Sequence, residues 1–152
     1  MFKIKCINQE HAGECIAGVR MVKKSFTIHG LCVEGVFPVF EGVKVFLSED
    51  VDTLYHQLGN TDYTFYHGTM REATKVLKQM IVSNPSLKTS FTLEQLEDIA
   101  KEKERITGKV WHHYEELTTD GCPIMQLVDE TQHSKCKHTG GSYTWNPKHL
   151  YK

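Results

Sequence analysis

The sequence predicts an α+β fold in which N-terminal antiparallel strands and helices support a small C-terminal unit of strand, turn, strand and helix. Three observations carry this reading. Residues 19–47 are rich in β-forming residues broken by glycines, the apolar period changes to three or four residues from Asp62, and two short β-like runs followed by a polar segment return after Gly108.

In the first region Phe26, Ile28, Val33, Val36, Val39, Val43, Val45 and Leu47 form short runs punctuated by Gly30, Gly35 and Gly42. This predicts a hairpin or a three-stranded meander, with Pro38 at an edge or bulge because it lacks a ladder donor. Tyr63, Tyr66, Met70, Ala73, Leu77 and Met80 then fall on one helical face, and Asn84 and Pro85 stop that helix. Thr92 with Gln95 three residues later is a capping-box arrangement that opens a second helix, expected to end near Gly108. Beyond it, KVWHHYEEL and PIMQLV read as strands around a turn at Thr119, Asp120 and Gly121, and DETQHSKCKH reads as a helix. No repeat, low-complexity tract or linker separates these parts, so residues 1–152 are expected to form one domain with the C-terminal unit at about 109–145.

Composition narrows the function classes. No apolar run approaches the roughly 20 residues needed to cross a bilayer, and Glu10 and Glu14 interrupt the start, so neither a membrane span nor an export signal is expected. Five cysteines without paired CxxC spacing suggest reduced, mostly buried thiols. A formal net charge of -1 provides no global field for a polyanion. A nucleic-acid surface must therefore be local, and Lys135, Lys137, Lys148 and Lys152 lie in a C-terminal stretch free of acidic residues.

Four of the nine histidines fall within 27 residues: His112, His113, His133 and His138. On a strand His112 and His113 point to opposite faces, so one is free to bind a metal while the other works beside it. His133 and His138 are five apart and converge only if the helix ends between them, with Thr139, Gly140 and Gly141 as its stop. Three imidazoles around one divalent ion, with positions left open for phosphate oxygen and water, form a catalytic coordination set. Cys136 leaves a second reading open, a closed structural zinc site of His112, His133, Cys136 and His138.

Trp111-His112-His113, Met125-Gln126-Leu127-Val128, His133 and His138-Thr139-Gly140-Gly141 together resemble the WHH group of the HNH/endonuclease VII superfamily. These are toxin domains of bacterial polymorphic toxins, akin to colicin-type DNases. Gly35-Val36-Phe37-Pro38-Val39-Phe40 and Asn84-Pro85 followed by Phe91-Thr92-Leu93-Glu94-Gln95-Leu96 resemble segments upstream of WHH, so the resemblance covers about the last 120 residues.

The resemblance implies a ββα-metal (HNH/His-Me finger) unit in which His112, His133 and His138 hold one divalent ion: zinc, magnesium, manganese or nickel. It implies His113 as general base, oriented by Gln126 or a nearby backbone carbonyl, with Trp111, Thr139, Gly140 and Gly141 in support. Because hydrolysis of this kind does not use a 2'-hydroxyl and no base-reading motif is present, nonspecific DNA cleavage is the first expectation and RNA the alternative substrate. Lys135, Lys137 and Lys148 are expected on the nucleic-acid backbone. A cognate immunity protein, and action in the cytoplasm of a producing or target cell after delivery by a toxin system, follow from the resemblance alone. A non-catalytic zinc module that binds nucleic acid remains the rival of a different class.

Overall fold

A computed structural model describes residues 8–145 and the backbone of residues 2–3. The strands are β1 (Phe2–Lys3), β2 (Cys15–Ile16), β3 (Val19–Ile28), β4 (Leu31–Val39), β5 (Lys44–Phe46), β6 (Lys109–Leu117) and β7 (Pro123–Asp129). The helices are α1 (Val51–Gln57), α2 (Asp62–Ser83), α3 (Leu93–Ala100), α4 (Glu130–Lys135) and α5 (Gly141–Thr144). The fold is α+β, with one sheet ordered β1-β4-β3-β2 and a second ordered β5-β7-β6.

The β3–β4 hairpin follows from its two-residue turn. His29 (φ 51°) and Gly30 (φ 76°) both take left-handed backbone, the geometry that lets a tight turn match the strand twist. Pro38 pairs with Met21 on one side, and among the described residues no second strand pairs with it on the other. The hairpin expectation holds, but β5 is not a third strand beside it: β5 pairs antiparallel with β7 in the other sheet, and the strand that extends the hairpin is β2, antiparallel to β3.

The second sheet is the frame of the C-terminal unit. Its β6–β7 ladder runs from Lys109↔Asp129 to His113↔Met125, then shifts register before Leu117↔Pro123. One face carries Trp111, Met125, Leu127 and Val45 into a core shared with Phe65, Met70, Ala73 and Leu77 of α2. The other face meets the hairpin, where Val128 and Cys136 pack with Val19, Met21, Val36 and Phe40.

Helix α2 begins at a capping box on Thr61 and ends at Asn84, before Pro85. Its buried stripe is Phe65, Thr69, Met70, Ala73, Thr74, Leu77 and Ile81, whereas Tyr63 is 73% and Tyr66 39% exposed. The expected stripe is thus rotated at its N-terminal end, because β6 draws two threonine hydroxyls inward. Helix α3 has the expected Thr92–Gln95 box but stops at Ala100, far short of Gly108. There Thr107 instead donates its backbone N–H (2.8 Å) and hydroxyl (2.6 Å) to Asp98, folding the connection back. Among the described cysteines only Cys136 is buried; Cys15 is exposed and Cys32 and Cys122 are half-buried. Cys15 lies on the edge strand β2, Cys32 beside the β3–β4 turn and Cys122 in the β6–β7 turn, where the chain is open to solvent.

Candidate active site

Strand alternation on β6 sends His112 and His113 to opposite sides of the second sheet, and different partners hold each side. On the α2 side the Trp111 indole N–H donates to Thr74 Oγ1 (2.9 Å), and His113 Nε2 meets Thr69 Oγ1 (2.8 Å). On the hairpin side His112, 1% exposed, joins two further imidazoles.

Those imidazoles come from the end of α4. Asp129 caps the helix by accepting from Gln132 N (2.9 Å), and the helix ends at Lys135 with Cys136 as its C-cap. His133 lies in the last turn, and the chain turns back to bring His138 beside it. One ring nitrogen from each of His112, His133 and His138 lies within 4.8 Å of the other two, a grouping that could hold a metal ion. Phe40 lies beside all three rings, at centroid distances of 4.9, 5.5 and 5.3 Å respectively.

Protonation in the cluster follows from this packing. His138 Nδ1 sits 2.7 Å from the Cys136 carbonyl, which only accepts, so Nδ1 carries the proton and Nε2 keeps its lone pair. That Nε2 faces His112 Nδ1 at 3.2 Å. Burial, then the neighbouring imidazoles, hold His112 well below the usual histidine range. Burial lowers His133 to about 4 and also lowers His138. The rings are therefore neutral near pH 7, the state in which imidazole is a metal ligand. His112 Nε2 is buried without a hydrogen-bond partner, a further ring nitrogen not committed within the protein. Three neutral nitrogen donors, with no fourth candidate ligand among the described residues, suit a divalent transition ion with open coordination positions.

The closed four-ligand alternative does not fit. Cys136 Sγ contacts Met21 Sδ at 3.8 Å in an apolar cluster, and burial raises its thiol pKa. Its backbone carbonyl, rather than its sulfur, serves the site by fixing His138.

His113 is not brought into the cluster. It is 4% exposed, Tyr66 stacks on its ring at 4.5 Å, and burial lowers it to about 3. The Thr69 hydroxyl reaches the carbonyls of Phe65 and Tyr66, both at 2.9 Å, and so spends its proton there. It accepts from His113 Nε2, leaving the lone pair on Nδ1. Of the two groups expected to orient His113, Gln126 does not: it pairs across the ladder with His112, and its amide donates to Phe40 O (2.9 Å) and Gly42 O (3.2 Å), whereas a nearby backbone group, that of Tyr66, does contact the ring.

The remaining expected residues divide clearly. Lys135 and Lys137 are exposed on either side of Cys136, near the cluster in the chain; Lys148 and Lys152 lie outside the described residues. Thr139 is buried. Gly140 and Gly141 do not stop α4; Gly140 caps the N-terminus of α5, which packs on β6. A Cβ on Gly141 would lie 1.9 Å from the Tyr114 carbonyl oxygen. Thr69 and Phe40 are contributors the sequence reading did not assign. Phe40 stood in the upstream FPVF segment, but Thr69 offered only a polar residue on an otherwise apolar helical stripe.

A family model described as the DNase/tRNase domain of colicin-like bacteriocin matches residues 29–140, a span that contains His112, His113, His133 and His138. No curated protein and no solved structure matches the chain.

Proposed function

Because the chain belongs to the family of the DNase/tRNase domain of colicin-like bacteriocins, we propose that it is a metal-dependent HNH endonuclease of the WHH group. In this reading residues 1–152 act as one nuclease domain, with the ββα catalytic unit at about 109–145. The observation that carries it is the convergence of three neutral imidazoles within 4.8 Å, inside the span shared with the family.

His112, His133 and His138 would hold one divalent ion. An all-imidazole set favours zinc or nickel over magnesium, which prefers oxygen ligands. Such an ion supplies Lewis-acid stabilisation of charge developing on a phosphodiester. Phe40 restricts water around the rings, and the Cys136 carbonyl keeps His138 in the tautomer that presents Nε2. His113 acts as general base through Nδ1, the nitrogen that Thr69 leaves unprotonated. Exposed Lys135 and Lys137 contact the nucleic-acid backbone.

No step in this scheme uses a 2'-hydroxyl, so nonspecific DNA cleavage is the first reading. The family's description names tRNase as well as DNase, which supports RNA as the second. As an antibacterial toxin domain the protein would need a cognate immunity protein, of acidic character if it covers the lysines. The deciding assay incubates the purified protein with plasmid DNA and, separately, total RNA, across zinc, nickel, manganese and magnesium, with EDTA controls. The reading expects metal-dependent nicking that His138→Ala removes. Absence of cleavage of both substrates with every metal would overturn it.

A further inference from the structure

The face of the second sheet that carries His112 continues into a small cavity of about 70 Å³, whose lining includes Lys24, Phe40, Lys44, Tyr114, Glu115 and Gln126. Lys44, Gln126 and His112 are directly paired across β5, β7 and β6. Directly paired residues share a face of the sheet. Tyr114, two residues along β6, has its ring 6.5 Å from His112, and Phe40 belongs both to the cavity wall and to the imidazole cluster.

Two ammonium groups meet the Tyr114 ring, Lys44 Nζ at 4.0 Å and Lys24 Nζ at 4.5 Å from its centroid. Their surroundings differ. Lys24 is paired with buried Glu115, lies 2.7 Å from Glu116 and donates to the Tyr114 hydroxyl at 3.0 Å. Those contacts consume its charge and brace the ring. Lys44 is exposed and has no carboxylate partner among the described residues. An exposed ammonium fixed over a ring and without a carboxylate partner among the described residues is placed to receive an anion. The two distances put it at most about 10.5 Å from the His112 ring, within reach of a phosphate close to the one at the imidazole cluster.

Resting on the nuclease reading, we infer that Lys44, held over Tyr114, binds a backbone phosphate of the nucleic acid flanking the bond to be cut. This contact comes from the N-terminal half of the chain, far in sequence from Lys135 and Lys137. Lys24 and Glu115 serve it indirectly, by fixing the ring on which Lys44 rests.

The test compares wild type with Lys44→Gln, Lys44→Arg and Lys75→Gln, a lysine on α2 paired with Glu72. A fluorescein-labelled DNA duplex and an RNA strand of equal length are titrated in EDTA across a salt series, followed by fluorescence anisotropy. For whichever probe the wild type binds, Lys44→Gln should weaken binding about fivefold or more at low salt. It should also reduce the slope of log affinity against log salt by about 1, as loss of one phosphate contact requires. Lys44→Arg should restore both, and Lys75→Gln should change neither. Thermal midpoints and nickel titrations of the variants should match wild type. If wild type binds and cuts while Lys44→Gln is indistinguishable from it, this inference falls and the nuclease reading stands. If wild type neither binds nor cuts either probe, both fall.

Discussion

His113 is neutral, and Thr69 decides which of its nitrogens holds the proton. With Thr69 Oγ1 accepting at Nε2, the basic site is Nδ1. Thr69→Ala removes that acceptor and leaves only the Tyr66 backbone contact to bias the tautomer. Cleavage should then slow about tenfold to a hundredfold in kcat, Thr69→Ser should recover most of the loss, and nickel affinity should be unaltered. His113→Ala should lower kcat by about a hundredfold or more, again with metal binding intact; undiminished nicking by that variant would remove His113 from the mechanism. Cys136 gives the complementary expectation. Its sulfur faces Met21, so Cys136→Ala should bind metal as tightly as wild type, measured by calorimetry, whereas a closed zinc centre would lose most of its affinity. The histidines were readable in the sequence because strand alternation and helix length constrain neighbours. Thr69 was not, since its contact spans 44 positions and depends on how α2 lies across β6.

Between elements, the tightest constraint joins α5 to β6. Gly141 lies so close to β6 that an added Cβ would meet the Tyr114 carbonyl oxygen at 1.9 Å and the Trp145 ring at 2.5 Å. Gly140, its neighbour, offers an added Cβ nothing nearer than 3.5 Å. Gly141→Ala should therefore cost about 2 kcal/mol or more in urea unfolding, and Gly140→Ala less than about 1 kcal/mol. Equal effects would show that α5 does not pack as described. The glycine pair was visible in the sequence, but its purpose was misread as a stop for α4. That helix ends at Lys135 without it, and the glycines instead allow α5 to approach the strand. Local chemistry identified most element types: the Thr92 capping box, the Asn84-Pro85 stop and the Gly121 turn (φ 80°) all appear. It missed α1, whose N-cap is Asp50 accepting from Thr53 N at 2.8 Å, because seven residues carry too short an apolar pattern. It also kept β5 with its sequence neighbours, where pairing with β7 depends on contacts some 80 residues away.

At the scale of the whole molecule, the hairpin and α2 bury imidazoles from both sides of the second sheet, and that burial links stability to pH. His133 is lowered to about 4 and His113 to about 3, against 6.5 for an unconstrained ring. A depressed histidine pKa means that the unfolded chain binds protons before the folded one does. Stability is thus fully present above pH 6.5 and declines as pH falls from 6.5 towards 4 and 3, where the folded rings also charge. In EDTA, so that no ion competes for the rings, the thermal midpoint should drop by about 5 °C or more between pH 7 and pH 5. Asp50, Glu97 and Asp98, with pKa values lowered by hydrogen bonds, stay ionised throughout that window, and Glu115, raised by burial, acts in the opposite sense to the histidines. Addition of nickel should raise the midpoint, since a ligand that binds the folded state preferentially stabilises it. The rise should fall off less steeply towards pH 5 than at an ordinary histidine site, because burial lowers the pKa of all three rings. An ordinary surface histidine site, titrating near 6.5, would lose that effect over the same interval. A midpoint flat from pH 7 to pH 5 in EDTA would mean that these imidazoles are not buried neutral together.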